Sequence, residues 1–223
     1  MSDFVLSTDQ IALLLEGALV TVRIGAIAAL LALAIAIPAG LLRAQTSRLG
    51  RGLVICYIEF FRGTSLIVQL FWLYFVLPQF GLSLSAETAA ILGLALNYGA
   101  YGAEIVRGAV LSVAKGQVEA GRSLGLKPLH IRLLIVLPQA LVVFIRPWGN
   151  LMVQLLKATS LVSLITIADL SYRAYQLNQV TMRTMPIFGA VLVIYFVMAQ
   201  AIALMTDVFD RWCGRWRAAG AVR

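Results

Sequence analysis

Long apolar runs alternate with short polar segments along the whole chain. Because a helix needs about 20 apolar residues to cross a bilayer, each long run is a candidate span. The pattern predicts an all-α polytopic membrane protein with five transmembrane helices, forming a single transmembrane domain over residues 1–223. The predicted spans are about residues 11–42, 53–77 and 88–111, a fourth span that begins near residue 131, and residues 186–208.

Prolines are expected to interrupt two of these spans. Pro38 marks the inner end of the first span, and Pro138 and Pro147 are predicted to break the fourth. The next apolar stretch, residues 160–169, is too short to cross a bilayer. We expect it to form a re-entrant or interfacial segment near the outer side.

Charge is scarce and unevenly distributed. Charged residues make up 13% of the chain, against about 25% in soluble domains. The net charge of +8 would suit nucleic-acid binding, but its distribution argues for a membrane orientation instead. The three predicted inner segments hold eleven basic residues, and the outer loops, about 78–87 and 171–185, hold two. The positive-inside rule therefore places the N-terminus outside and the C-terminus, a basic tail from residue 210 with Trp212 and Trp216, in the cytoplasm.

The sequence lacks the residues that several classes of protein require. The chain has a single histidine, His130, so it cannot contain the two-histidine HExxH motif of metalloproteases. His130 falls in an inner loop, which argues against a catalytic serine–histidine pair. No G-x-x-x-x-G-K-[ST] motif occurs, so any ATPase must be another polypeptide, and no cofactor is expected on this chain. Cys56 and Cys213 have no metal-site spacing and are not expected to form a disulfide. The first residues carry no basic n-region, so no cleaved signal peptide is predicted.

One short polar island, residues 119–138, separates two long apolar runs. Residues 119–124 favour a short helix, and Gly125 is expected to end it in a positive-φ conformation. Lys127-Pro128 then resists immediate resumption of the helix. A small-sided helix tethered to two spans can fit a groove in a partner and transmit force. The alternative is a simple cytoplasmic connector.

The island resembles the cytoplasmic "EAA" loop of the membrane subunits of bacterial ABC importers. That loop has the pattern E-A-A, three residues, G, nine residues, I-x-L-P. The residues on the pattern are Glu119, Ala120, Gly125, Ile135, Leu137 and Pro138, with Gly121 in place of the second alanine. The resemblance implies ATPase-coupling roles for Glu119, Ala120, Gly121, Ser123, Leu124 and Gly125.

Ionisable residues within spans cost about 2.5–3.5 kcal/mol each and usually face a bundle interior or a water-filled cavity. Glu104, Arg107 and Lys157 therefore suggest a polar substrate pocket, in which Lys157 would attract a carboxylate. The predicted pocket residues are Thr64, Ser65, Asn97, Tyr101, Glu104, Gln154, Lys157 and Thr159. The alternative is internal pairing of Glu104 with Lys157 or Arg107. We favour structural pairing for Glu59 and Arg62, which are three residues apart.

Two further motifs resemble the histidine, arginine and glutamine permeases: Arg62-Gly63-Thr64, and Gly149-Asn150 followed by the run LKATSL. Relatives that carry cationic amino acids often have acidic residues where this chain has Leu151 and Ala158. The resemblance thus favours a neutral polar amino acid, another zwitterion or a compatible solute such as an ectoine.

The same resemblance implies the transmembrane domain of a type I ABC importer in the bacterial inner membrane. Its expected partners are a second permease subunit (identical or paralogous), two ATP-binding cassette ATPase subunits, an extracytoplasmic solute-binding protein and the lipid bilayer, but no nucleic acid. One rival is an ion-coupled secondary carrier that uses Glu104, which the lack of an inverted repeat disfavours. An intramembrane enzyme is a second rival, disfavoured by the missing catalytic residues.

Overall fold

A computed structural model describes residues 6–44 and 48–220. Within these residues, nine α-helices follow one another. They are α1 (Thr8–Ala44), α2 (Arg48–Gly63), α3 (Leu66–Phe71), α4 (Ala86–Leu111), α5 (Lys115–Ser123), α6 (Pro128–His130), α7 (Leu137–Ala158), α8 (Leu170–Thr181) and α9 (Thr184–Gly220). Two π-helical segments, Trp72–Val76 and Ile131–Val136, and two 3-10 segments, Leu77–Phe80 and Thr159–Ile165, extend α3 and α7. The all-α prediction is confirmed.

Four continuous helical segments are long and apolar enough to cross a membrane: Thr8–Ala44, Ala86–Leu111, Pro128–Ile165 and Thr184–Gly214. A fifth crossing is available only if Arg51–Gly63 and Leu66–Phe80 count as one span, and these two helices meet at 103°. The prediction of one continuous second span over residues 53–77 is therefore wrong in shape. The chain leaves the helix at Thr64 and Ser65, directly after Gly63.

Two buried amides stabilise this bend. The Gln69 side-chain nitrogen donates to the Phe61 carbonyl at 3.0 Å and to the Thr64 hydroxyl at 2.7 Å. The Asn97 side-chain nitrogen, from α4, donates to the same Phe61 carbonyl at 2.9 Å and to the Gln69 amide oxygen at 3.1 Å. A helix break in a membrane needs such partners, because unsatisfied backbone groups cost several kcal/mol there.

The fourth span is continuous where a break was predicted. Pro147 lies inside α7 without ending it. Pro138 is the second residue of α7 and directly follows the π-helical segment Ile131–Val136, which changes the hydrogen-bond register where the proline lacks an N–H. The stretch predicted as re-entrant also differs, because the 3-10 segment Thr159–Ile165 prolongs α7. That segment ends at Thr166, whose φ is +67°. Val162 and Ile165 are fully buried within the protein core, so this stretch packs inside the bundle.

Small residues bring the central helices close together. Ile24, Ala28 and Ala32 of α1 pack with Leu94 of α4 and Leu155 of α7 in one buried cluster. Helices α1 and α4 run parallel, since Arg23 pairs with Glu87 at the start of α4 and Gly40, further along α1, meets Val106 toward the end of α4. We call the end that carries α5 the loop end, and the end that carries α8 the distal end.

Helix α9 extends further than its apolar run. It continues to Gly220, so much of the segment predicted as a tail is helical. Arg146 of α7 donates to Asp210 at 2.8 Å, which ties this extension to the bundle. About one turn from this pair, Gly149 of α7 faces Thr206 of α9, and because Gly149 has no side chain the two helices can approach closely.

Candidate functional site

Helix α5 ends in a Schellman motif at Gly125. The Gly125 N–H donates to the Arg122 carbonyl at 2.9 Å, and the Leu126 N–H donates to the Gly121 carbonyl at 3.1 Å. Gly125 has φ of +73°, so the predicted positive-φ helix stop is confirmed. The helix starts at Lys115, four residues before the predicted start. Its N-cap, Ala114, has no side-chain cap, so the sequence carried no start signal.

Gly121 packs against the beginning of the fourth span. It is buried, and a Cβ added to it would lie 2.9 Å from Ile135 Cδ1 and 3.1 Å from Ile131 Cγ1. The two halves of the EAA pattern therefore touch, because Gly121 stands in the first half and Ile135 in the second. An alanine here would require the side chains of Ile135 and Ile131 to shift. This contact gives a physical reason for the fixed spacing of the pattern.

Two faces of α5 have different surroundings. Lys115, Val118, Glu119 and Arg122 line a groove of about 680 Å³, which we call the loop-end groove. It lies between α5, the loop ends of α1 and α4, and residues 128–137. Ala120, Ser123 and Leu124 are exposed and do not line it. They form the face of α5 that is free for a partner, whereas Glu119 lies on the groove side.

Arg43 connects three helices at the loop end. Its Nη1 lies 2.8 Å from Glu104 Oε1 of α4 as an ion pair, and its Nη2 lies 3.3 Å from Glu59 Oε1 of α2. Arg107 binds the other Glu104 oxygen through two N–H groups at 3.1 Å. Of the predicted partners of Glu104, Arg107 is therefore confirmed, and Lys157 is wrong.

The predicted pair Glu59–Arg62 is also wrong. Glu59 pairs with Arg43, and the Arg62 guanidinium lies 5.3 Å from the centre of the Tyr101 ring. Spacing of three residues permits a contact on one helix but does not require it. The partner chosen, Arg43, is 16 residues away in sequence, where local spacing gives no signal.

Three polar residues of α7 share an exposed face. Asn150, Gln154 and Lys157 follow helical spacing, and all three side chains are exposed. The Tyr98 hydroxyl of α4 donates to the Gln154 carbonyl at 3.1 Å, which holds this part of α7 against α4. Within residues 6–44 and 48–220, Lys157 forms no ion pair. We call Asn150, Gln154 and Lys157 the polar face of α7.

The other predicted pocket residues separate into three groups. Thr64 and Ser65 are exposed at the bend, and Asn97 is buried behind them. Tyr101 is exposed and carries Arg62 over its ring, whereas Glu104 is held by two arginines.

Thr159 is fully buried and donates to the Leu156 carbonyl at 2.6 Å, so its hydroxyl does not face outward. The structure brings Thr64 and Asn97 together around Gln69, which sequence reasoning did not single out as a site residue.

A buried polar cluster lies at the distal end, and its carboxylate, Asp169, stands between the fourth span and α8. Asp169 is fully buried, and its carboxylate caps α8 by accepting from the Tyr172 N–H at 2.9 Å. Burial raises the pKa of Asp169 to about 6, although the N–H groups of Tyr172 and Ser171 oppose the shift. The Leu170 N–H donates to Thr21 of α1 at 3.2 Å. This cluster fastens α8 to α1.

Comparison with known proteins gives a consistent result. The family described as "Binding-protein-dependent transport system inner membrane component" matches residues 16–215. The probable amino-acid ABC transporter permease y4tF of Sinorhizobium fredii is 43% identical over 173 residues, which are 75% of this chain and 73% of that protein. The glutamine transport permease GlnP of Escherichia coli is 34% identical over 203 residues, covering 90% of this chain and 93% of GlnP.

Solved structures share the architecture. A chain from the crystal structure of an amino acid ABC transporter with histidines superposes with a TM-score of 0.84 at 32% identity, covering 90% of this chain and 94% of that one. A chain of the inward-facing MetNI methionine ABC transporter gives 0.80 at 21% identity, covering 93% and 99%, and shows the fold alone. The predicted type I importer architecture is confirmed. The chain belongs to the family of binding-protein-dependent transport system inner membrane components, and it is a translocating permease subunit of an ABC importer whose ATP hydrolysis is carried out by separate ATPase subunits.

Proposed function

We propose that this permease moves a polar or zwitterionic amino acid into the cytoplasm. The observation that carries the proposal is the loop end: a short helix ended by Gly125 and packed through Gly121 onto Ile135. Such a helix can pass motion from an ATPase to the span that bears the polar face of α7. The substrate class is supported by relatives named for glutamine and L-cystine transport.

The polar face of α7 is the proposed substrate contact. Lys157 is exposed and has no ionic partner in the part of the chain that the structure describes, and an ammonium suits a carboxylate. Exposed polar side chains at membrane depth favour a water-filled cavity or a second subunit. Gln154, Tyr101, Thr64 and Ser65 would add hydrogen bonds. Asn97, Glu104 and Thr159 would support the site from buried or paired positions.

The proposed assembly contains two permease subunits, identical or paralogous, with two ATPase subunits beneath the loop end. A solute-binding protein would dock at the distal end, outside the cell. The N-terminus would then lie outside and the C-terminus in the cytoplasm, with residues 1–223 forming one domain. ATP would be bound by the ATPase subunits alone, and the permease would need no cofactor. Supporting this orientation, Arg43, Lys115 and Arg122 cluster at the loop end.

Reconstitution tests the proposal. The permease with its ATPase subunits and binding protein is placed in proteoliposomes without an ion gradient, and uptake of glutamine, cystine, arginine and ectoine is measured. We expect ATP-driven uptake of a neutral or zwitterionic solute and little uptake of arginine. Uptake that follows a proton or sodium gradient without ATP would instead identify a secondary carrier.

The Lys157→Met substitution tests the substrate contact. It keeps most of the apolar stem and removes the charge, so we expect uptake to fall at least tenfold while assembly and basal ATP hydrolysis persist. Lys127→Met, an exposed cation at the loop end, is the matched control and should transport normally. Normal uptake by Lys157→Met would place the carboxylate elsewhere.

A further inference from the structure

The transport proposal gives no role to the loop-end groove. It measures about 680 Å³ and opens between α5, the loop ends of α1 and α4, and the start of the fourth span. A groove of this size can hold much of a drug-sized molecule. Its two walls differ in chemistry, and that difference indicates what it binds.

One wall is apolar and reaches toward the membrane interior. Leu41, Leu111, Leu133 and Leu137 line it, and all four side chains remain exposed. Leu137 lies six residues beyond Ile131, more than one helical turn further along the fourth span. The groove therefore extends from the polar loop toward the hydrocarbon core of the bilayer.

The other wall is positively charged. Lys115, Arg122 and Arg132 line it together with one acid, Glu119. In the part of the chain that the structure describes, none of these four forms an ion pair. Three cations against one carboxylate leave an excess of two positive charges beside an apolar surface. The complementary ligand is an amphiphile with an anionic head and an apolar tail.

We propose that the loop-end groove binds one anionic phospholipid. Its phosphate lies among Lys115, Arg122 and Arg132, and an acyl chain lies along the leucine wall. Basic residues at the membrane surface attract anionic lipids by about 1 kcal/mol each. A transported amino acid would leave the leucine wall uncovered. The ATPase would contact the opposite face of α5, where Ala120, Ser123 and Leu124 are exposed.

The lipid would act on coupling, because α5 forms one wall of its site. An occupied groove supports α5 from the membrane side while the ATPase contacts the other face. The binding step itself requires only that the chain spans a membrane, so it is separable from the identity of the transported solute.

Native mass spectrometry of the delipidated permease–ATPase complex tests the site, with phosphatidylglycerol or phosphatidylcholine added back. We expect one retained phosphatidylglycerol per permease and at least fivefold less phosphatidylcholine. Leu133→Trp fills the groove and should lower retention at least fivefold, whereas its exposed neighbour Leu134, which does not line the groove, should tolerate Leu134→Trp. The double substitution Arg122→Ala and Arg132→Ala should have the same effect as Leu133→Trp. Lys127→Ala, a cation outside the lining, should have none.

Three results would overturn the proposal. They are equal retention of both lipids, equal loss in Leu133→Trp and Leu134→Trp, and displacement of the lipid by millimolar inorganic phosphate, which would identify a simple anion site. ATP hydrolysis stimulated by the binding protein is measured in parallel. A complex that binds the lipid but transports no amino acid would contradict the proposed function and leave the lipid site standing.

Discussion

Arg43 is the residue on which the loop-end ion pairs converge. It joins α1 to Glu59 of α2 and to Glu104 of α4, and its side chain is only 17% exposed. Breaking a fully buried pair costs 3–5 kcal/mol because a charge is left unpaired, whereas exposed pairs contribute 0–1 kcal/mol. The Arg43–Glu104 pair lies between these limits. Together with the Arg43–Glu59 pair, it fixes the relative positions of three helices at the loop end.

Arg43→Met should therefore destabilise the permease by roughly 1–3 kcal/mol, a range between the exposed and buried limits. The measurement is thermal unfolding of the purified protein in detergent. Arg23→Met is the matched control, because Arg23 also pairs with a glutamate, Glu87, but is 59% exposed. We expect a loss below about 1 kcal/mol for the control. Equal losses in both variants would mean that the loop-end pairs contribute no more than a surface contact.

Asp169 should make stability depend on pH. Burial raises its pKa to about 6, above the ordinary value of about 3.9, so the folded state binds the proton more tightly than the unfolded state. This contribution is fully present below about pH 4 and is lost as the pH rises through 6. A shift of about two units corresponds to roughly 3 kcal/mol at most.

Asp169→Asn keeps an acceptor for the Tyr172 N–H and removes the buried charge. We expect it to raise the unfolding temperature at pH 8 and to change it little at pH 4. The control is Asp9→Asn, at an exposed aspartate, measured at the same two pH values. A profile that Asp169→Asn does not alter would show that this carboxyl group keeps an ordinary affinity for protons.

At the scale of elements, sequence signals were informative where they act locally. Gly125 stops α5 as predicted, because a positive φ is a property of one residue and its neighbours. The bend after Gly63 depends on Gln69 and on Asn97 from another helix, so the sequence Arg-Gly-Thr alone did not predict it. Pro147 was predicted to break α7, but packing against α4 and α9 keeps the helix continuous.

Gly125→Val should uncouple the ATPase from the permease. The position has φ of +73° and no atoms near an added Cβ, so backbone strain is the whole effect. We expect normal membrane insertion, poor docking of the ATPase subunits and several-fold lower substrate-stimulated ATP hydrolysis. Gly116→Ala is the control, because Gly116 lies in the same helix with open space and no positive φ. Undiminished hydrolysis in Gly125→Val would exclude α5 as the coupling element.

At the scale of the whole molecule, the sequence predicted an all-α chain, since long apolar runs form its spans. Within the described residues four of the five predicted spans are continuous helices, and the second is a pair of helices bent by 103°. The third predicted span, 88–111, agrees with α4, Ala86–Leu111. The last span was predicted to end near residue 208, but helix formation does not stop where hydrophobicity stops, and Asp210 is held by Arg146. Of the loop, the helix stop at Gly125 was predicted, but the helix start at Lys115 was not. Burial of Asn97 and Thr159 was not, because the facing helix decides which side of a polar stripe is covered.

Cysteine labelling tests the orientation of the whole chain. In a background without Cys56 and Cys213, single cysteines replacing Ser83 and Gln176 should react with an impermeant reagent from outside. A cysteine replacing Ser123 should react only after the membrane is opened. All three positions are exposed, so accessibility depends on the side of the membrane alone. The reverse pattern of labelling would contradict the topology.

The contact between Gly121 and Ile135 also sets how far this protein can vary in length. One residue inserted into α6, Pro128–His130, would rotate Ile135 by about 100° relative to the turn that follows α5 and remove it from Gly121. The exposed, non-helical segment at residues 81–83 carries no such constraint. Insertions and deletions among natural relatives should therefore accumulate at the distal turns and be nearly absent between Gly121 and Ile135. The loop proposed to contact the ATPase is then also the part of this permease whose length evolution can change least.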